Sequence, residues 1–87
     1  MTIHVELFGW PRHRAGVAAI DVQGARLGEI LAALGRALPS LADACLDGDR
    51  LRPGFLANLN GQTFVTDPAT PLRDGDAVLI LSSDVGG

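Results

Sequence analysis

An α+β domain, a mixed sheet of four to five strands with one main helix packed on one face, is what the sequence predicts. Three observations predict it. Apolar and polar residues alternate in short runs near the start and again in the second half, which is the period of half-buried strands. One stretch, residues 26–38, carries a helical apolar stripe. The last apolar run, Val78-Leu79-Ile80-Leu81, is apolar on both strand faces, as expected in the middle of a sheet.

Residues 3–8 alternate, with Ile3, Val5 and Leu7 facing inward and His4 and Glu6 outward. Residues 9–16, punctuated by Gly9, Pro11 and Gly16, read as a loop. Residues 17–22 read as the returning strand of a hairpin, with Ile20 and Val22 on one face. In residues 26–38 the stripe is Leu27, Ile30, Leu31, Leu34 and Leu38. Glu29 and Arg36 match the helix dipole, and Pro39 ends the run. The N-cap is poor, because Gly24-Ala25-Arg26 offers no Ser, Thr, Asp or Asn. Gly28 and Gly35 each weaken the helix by up to about 1 kcal/mol against Ala. Its stability must come from packing on the sheet. Residues 40–54 read as a connection, with a short helix over 40–46 and a turn at Asp47-Gly48-Asp49. Residues 55–60 alternate and run into Asn60-Gly61, a tight-turn signal, followed by a short strand over 62–65. Residues 67–71 are a loop, Asp74-Gly75-Asp76 a turn, and residues 77–81 the final strand. In the turn the Asp side chains are placed to bond nearby backbone N–H groups. A final strand that needs neighbours on both sides is satisfied beside the first strand and parallel to it, with the helix across one face. That arrangement is the β-grasp, or ubiquitin-like, fold.

At 87 residues this is one small domain, 1–87, with no internal repeat and no linker. Such a chain buries only about 60% of its unfolded surface, so its stability is modest. A net charge of −3 argues against a nucleic-acid backbone binder, which needs a basic surface. No apolar run approaches the length of a membrane span, and the N-terminus has no signal-like core, so a cytoplasmic protein is expected. The one cysteine, Cys45, cannot form an internal disulfide or a thiolate metal site, and its apolar neighbours point to a buried structural thiol. Lysine is absent; all seven basic side chains are Arg. Genome composition accounts for this, and so does the benefit, to a chain with a reactive acyl terminus, of lacking amines that capture it. His4 and His13 have no Ser or Cys nucleophile arranged with them and read as surface histidines. Trp10, Arg12 and Arg14 read equally as a partner-binding loop or as a solvated loop with one packed aromatic.

The sequence closes on Ser82-Ser83-Asp84-Val85-Gly86-Gly87. Read as an extended flexible tail, 82–87 reaches about 20 Å, at about 3.3–3.6 Å per residue. Gly86 and Gly87 lack side chains and pass through a channel that rejects bulk. A terminal carboxylate is ionised at neutral pH. Asp-Gly-Asp at 74–76, an apolar strand and then Gly-Gly form a specific combination.

On these residues, together with Phe8, Arg12 and Gly16 near the start and the Leu59-Asn60-Gly61 turn, the chain resembles the small sulfur-carrier proteins of the MoaD/ThiS type. These comprise the small subunit of molybdopterin synthase and the thiamine sulfur carrier. The resemblance covers nearly the whole chain. It implies a carrier, not an enzyme, with no bound cofactor. An E1-like adenylating enzyme uses ATP to activate the Gly87 carboxylate, a sulfurtransferase step yields a thiocarboxylate, and the tail enters a sulfur-accepting enzyme. Gly86 serves steric access and Gly87 the chemistry. Phe8, Leu81, Asp84 and Val85 are the expected partner-binding residues. Family tails often carry prolines where Ser82-Ser83-Asp84 stand here. Length across 39–54 favours the molybdopterin synthase branch, with its large subunit as acceptor. Thiamine, cysteine, thiolated tRNA, a sulfur-containing secondary metabolite and protein conjugation are the alternative destinations. An inert β-grasp interaction module is the rival from another class.

Overall fold

The structure is a computed structural model and describes residues 1–83. Its strands and helices run β1 (Thr2–Leu7), α1 (Trp10–Ala15), β2 (Ala19–Gln23), α2 (Leu27–Ala37), α3 (Pro39–Cys45), β3 (Leu46–Asp47), β4 (Arg50–Leu51), β5 (Phe55–Leu59), β6 (Thr63–Val65) and β7 (Ala77–Ser82). Among the described residues, five strands form the main sheet in the order β2-β1-β7-β5-β6, while β3 and β4 make a separate two-stranded ribbon. β1 pairs antiparallel with β2 and parallel with β7, and β7 pairs antiparallel with β5. The final strand is therefore central and lies beside the first, as its apolar composition predicts.

One face of the sheet carries the core. Ile3, Val5 and Leu7 of β1, Val78 and Ile80 of β7, and Ala57 of β5 meet Leu27, Ile30, Leu31 and Leu34 of α2, with Leu41 and Cys45 of α3 alongside. Cys45 is buried, as its neighbours predict. Burial pushes its thiol pKa up, opposed by the Arg14 and Arg52 guanidinium groups.

The poor cap of α2 is compensated from far along the chain. The Leu27 N–H donates to the Thr70 carbonyl and the Gly28 N–H to the Pro68 carbonyl, both at 2.9 Å. Glu29 Oε1 accepts the Ala25 N–H at 2.8 Å. Two of the first free N–H groups thus find backbone acceptors in the 67–70 loop. The approach is close: a Cβ at Gly28 would lie 2.9 Å from Pro68 Cβ. Gly28 is a packing requirement, not merely a weak point in a helix.

Two expectations need correction, and the expected turn at 47–49 proves to join a short ribbon. Residues 9–16 are not a loop: they hold α1, with Pro11 in its first turn and Gly16 as its left-handed C-cap, φ 78°. The Gly16 N–H donates to the Arg12 carbonyl at 3.0 Å, closing the helix. Pro and Gly here start and stop a helix. The Asp47-Gly48-Asp49 turn lies between two paired strands, Leu46 opposite Leu51 and Asp47 opposite Arg50. Ser82, placed at sequence level in the tail, belongs to β7 opposite Phe55, and the Ser83 N–H donates to the Gly54 carbonyl at 2.8 Å.

Candidate functional site

The last described residues leave the sheet from its centre. β7 holds the root of the segment that follows on both sides: the Phe8 N–H donates to the Ile80 carbonyl at 3.0 Å, and Ser83 is tied to Gly54. Gly86 and Gly87, the residues expected to carry the chemistry, lie outside the described residues, as do Asp84 and Val85.

The turn before β7 anchors its other end. Asp74 Oδ1 accepts the Thr2 N–H at 2.7 Å, and Asp76 Oδ2 accepts the Arg73 N–H at 2.8 Å. The Arg73 N–H bond above all, then the 3.1 Å bond from Asn60 Nδ2, holds the Asp76 carboxyl pKa below its ordinary value. Asn60 Oδ1 in turn accepts the Ala77 N–H at 2.8 Å. Asp-Gly-Asp is thus a splice that joins β1, β7 and the β5–β6 turn, as the side-chain chemistry predicts.

Among the described residues, no helix lies over the second face of the sheet. Its residues form cross-strand rows. Next to the tail root, Leu81 lies opposite Leu56, and Phe8 follows Leu7, which pairs with Ile80. Phe8 is 63% exposed, and Leu56 and Leu81 are partly exposed. The middle row is Ala19, Glu6, Leu79, Asn58 and Phe64, one residue from each strand. Phe64 is 58% exposed. Farther from the root stand Asp21, His4 and Ala77. The outer apolar residues of β7, Leu79 and Leu81, are therefore half-buried, although they read from sequence as buried on both faces. The expected pair Phe8 and Leu81 does come together. Leu56, Leu79, Asn58 and Phe64 join them and were not singled out from sequence; the outward phase of β5, β6 and β7 was the available signal.

His4 Nδ1 lies 2.7 Å from Asp21 Oδ1, and its Nε2 lies 3.5 Å from Glu6 Oε1. On α1, Trp10 stacks on His13 with ring centroids 5.4 Å apart, and the Arg14 guanidinium sits 5.8 Å from the Trp10 ring centroid. Trp10 is therefore part of a helix-borne cluster, not of a loop. Among the described residues, no group of three His, Cys, Asp or Glu side chains is placed to hold a metal ion. No helix among them is long and apolar enough to cross a membrane.

The sequence profile of the ThiS family matches residues 5–87. The chain belongs to the ThiS family. Its members are small ubiquitin-like sulfur carriers and modifiers. No curated protein matches the chain by sequence. Similar solved structures include SAMP1 from Haloferax volcanii, 23% identical, TM-score 0.83, with 100% of each chain covered. A second is found in the Amycolatopsis orientalis BexX/CysO complex, 19% identical, TM-score 0.80, covering 98% of this chain and 99% of the other. A third is found in the complex of subunits 1 and 2 of the molybdopterin-converting factor from Helicobacter pylori, 23% identical, TM-score 0.70, with 100% of each covered. At these identities the likeness shows the fold, which is the β-grasp.

Proposed function

We propose that this chain is a sulfur carrier whose Gly87 carboxylate is adenylated by an E1-like enzyme and converted to a thiocarboxylate that donates sulfur. The observation behind this reading is that the family match runs to residue 87 and so takes in Gly86-Gly87. A bare carboxylate is a poor electrophile, so activation comes first: a carboxylate oxygen attacks the α-phosphate of ATP and pyrophosphate leaves. The terminal sulfur of a persulfide on a sulfurtransferase then displaces AMP to give an acyl disulfide. A second thiol cleaves its S–S bond, leaving a disulfide behind and releasing the thiocarboxylate, which is nucleophilic at neutral pH. The carrier supplies no acid, base or metal. Its body presents the tail, and the open face with Phe8 and Leu81 docks the partner. Exposed Phe8 and half-buried Leu81 and Leu56, side by side next to Ser82, support that role.

The favoured acceptor is the large subunit of molybdopterin synthase, supported by the length of the region across 39–54. Incubation with an E1-like enzyme, ATP and a sulfur source should shift the intact mass by the difference between sulfur and oxygen. Gly87→Phe should lose that shift while keeping the wild-type melting temperature. A wild-type chain that gains no such mass, or a Gly87→Phe chain that does, counts against the carrier. Addition of the synthase large subunit and its pterin substrate should then discharge the sulfur and form molybdopterin.

A further inference from the structure

We infer that a pocket on the open face, between Glu6 and Asn58, receives a cationic side chain from the partner protein; this rests on the docking reading above. The pocket has a volume of about 140 Å3 and is lined by Glu6, Asn58, Gly61, Ala77, Val78 and Leu79. Asn58 Oδ1 is buried there without a hydrogen-bond partner. An unpaired buried acceptor carries a desolvation penalty, which a donor from outside recovers. Across Leu79, in the same row, stands the Glu6 carboxylate. Asp21 adds a second carboxylate to this face, beside His4.

The charge pattern is lopsided: two carboxylates share one imidazole, His4, 3.5 Å from Glu6 and 2.7 Å from Asp21. None of the five strands of the sheet contains an Arg, and the chain has no Lys. All seven arginines lie outside those strands. The face thus offers two carboxylates, an orphan carbonyl oxygen and one imidazole, around a pocket with an apolar floor. A guanidinium or ammonium group fits that chemistry, and its charge-assisted bonds exceed those of a neutral donor. The geometry sets a spacing. The pocket row lies two residues along the strands from the Phe8–Leu81–Leu56 row, about 7 Å at about 3.3 Å per residue. The partner should therefore carry its cation about 7 Å from its apolar contact.

The test is calorimetric titration of the full chain with the E1-like adenylating enzyme of the same organism. Leu81→Asp should abolish binding. Asn58→Leu, which removes the acceptor and fills the pocket, should weaken it about tenfold, the size of one lost charged hydrogen bond. It should melt no lower than the wild type, because no bond within the chain is lost. Asn58→Asp should bind at least as tightly as the wild type. Glu6→Gln should weaken binding and flatten its salt dependence. If Leu81→Asp binds normally, the docking reading falls and the inference with it. If Leu81→Asp fails to bind but Asn58→Leu binds like the wild type, the inference alone is overturned. Weaker binding by Asn58→Asp also overturns it.

Discussion

His4 shows how single residues tune the open face. The hydrogen bond to Asp21 is the main influence on its imidazole and raises its pKa above 6.5; partial desolvation opposes it, and the charges of Asp21 and Glu6 add to the rise. A raised folded pKa means that the pairing stabilises fully below the pH where a free imidazole titrates. It is lost as pH rises through the folded value. Proton NMR of the His4 ring should therefore show a midpoint above 6.5 in the wild type. In Asp21→Asn the midpoint should fall toward the free value. An unchanged midpoint in that variant would show that the 2.7 Å contact does not set the protonation of His4.

Among the elements, α2 gives the sharpest contrast, because two of its glycines look alike in sequence and differ in surroundings. A Cβ at Gly28 meets Pro68 Cβ at 2.9 Å and the Pro68 carbonyl oxygen at 3.2 Å. That backbone cannot retreat without breaking the bond from the Gly28 N–H. A Cβ at Gly35 meets Ala42 Cβ at 3.6 Å and Leu46 Cδ1 at 3.7 Å, ordinary contacts. Gly28→Ala should therefore destabilise by about 1–3 kcal/mol despite better helix propensity. Gly35→Ala should stabilise by about 0.5–1 kcal/mol. Urea unfolding of both variants checks the pair, and equal effects would refute the argument. The stripe from Leu27 to Leu34 was legible in the sequence because its period is local. The reason for Gly28 was not, since Pro68 and Thr70 lie some forty residues further on. Helix α1 was hidden for a different reason. Gly9, Pro11 and Gly16 act as breakers in a loop and as boundaries in a short helix, and six residues show too few turns for an apolar period. Of the candidate site, Phe8 and Leu81 were named through the family resemblance, whereas the orphaned Asn58 oxygen required three strands to be placed side by side.

At the scale of the molecule, the sheet divides its faces: one is sealed by α2 and α3, and on the other no helix lies among the described residues. A central strand suits that division. A segment leaving an edge strand is held along one side only, whereas β7 is bonded to β1 and β5 and fixes its end from both. The grip extends to the last described residue through the bond from the Ser83 N–H to the Gly54 carbonyl and the pairing of Ser82 with Phe55. Both are new contacts across a turn that the chain makes between β4 and β5, so they also hold Gly54 and Phe55 in place. A chain ended at Ser83 should consequently be more stable than one ended at Leu81 by about 1–2 kcal/mol, one or two net backbone hydrogen bonds. Hydrogen exchange should show the Phe55 amide, which donates to the Arg52 carbonyl at 3.2 Å, faster in the shorter chain, because the turn that holds it loses its tie to Ser83. If the two chains unfold at the same urea concentration, Ser82 and Ser83 are not part of the grip.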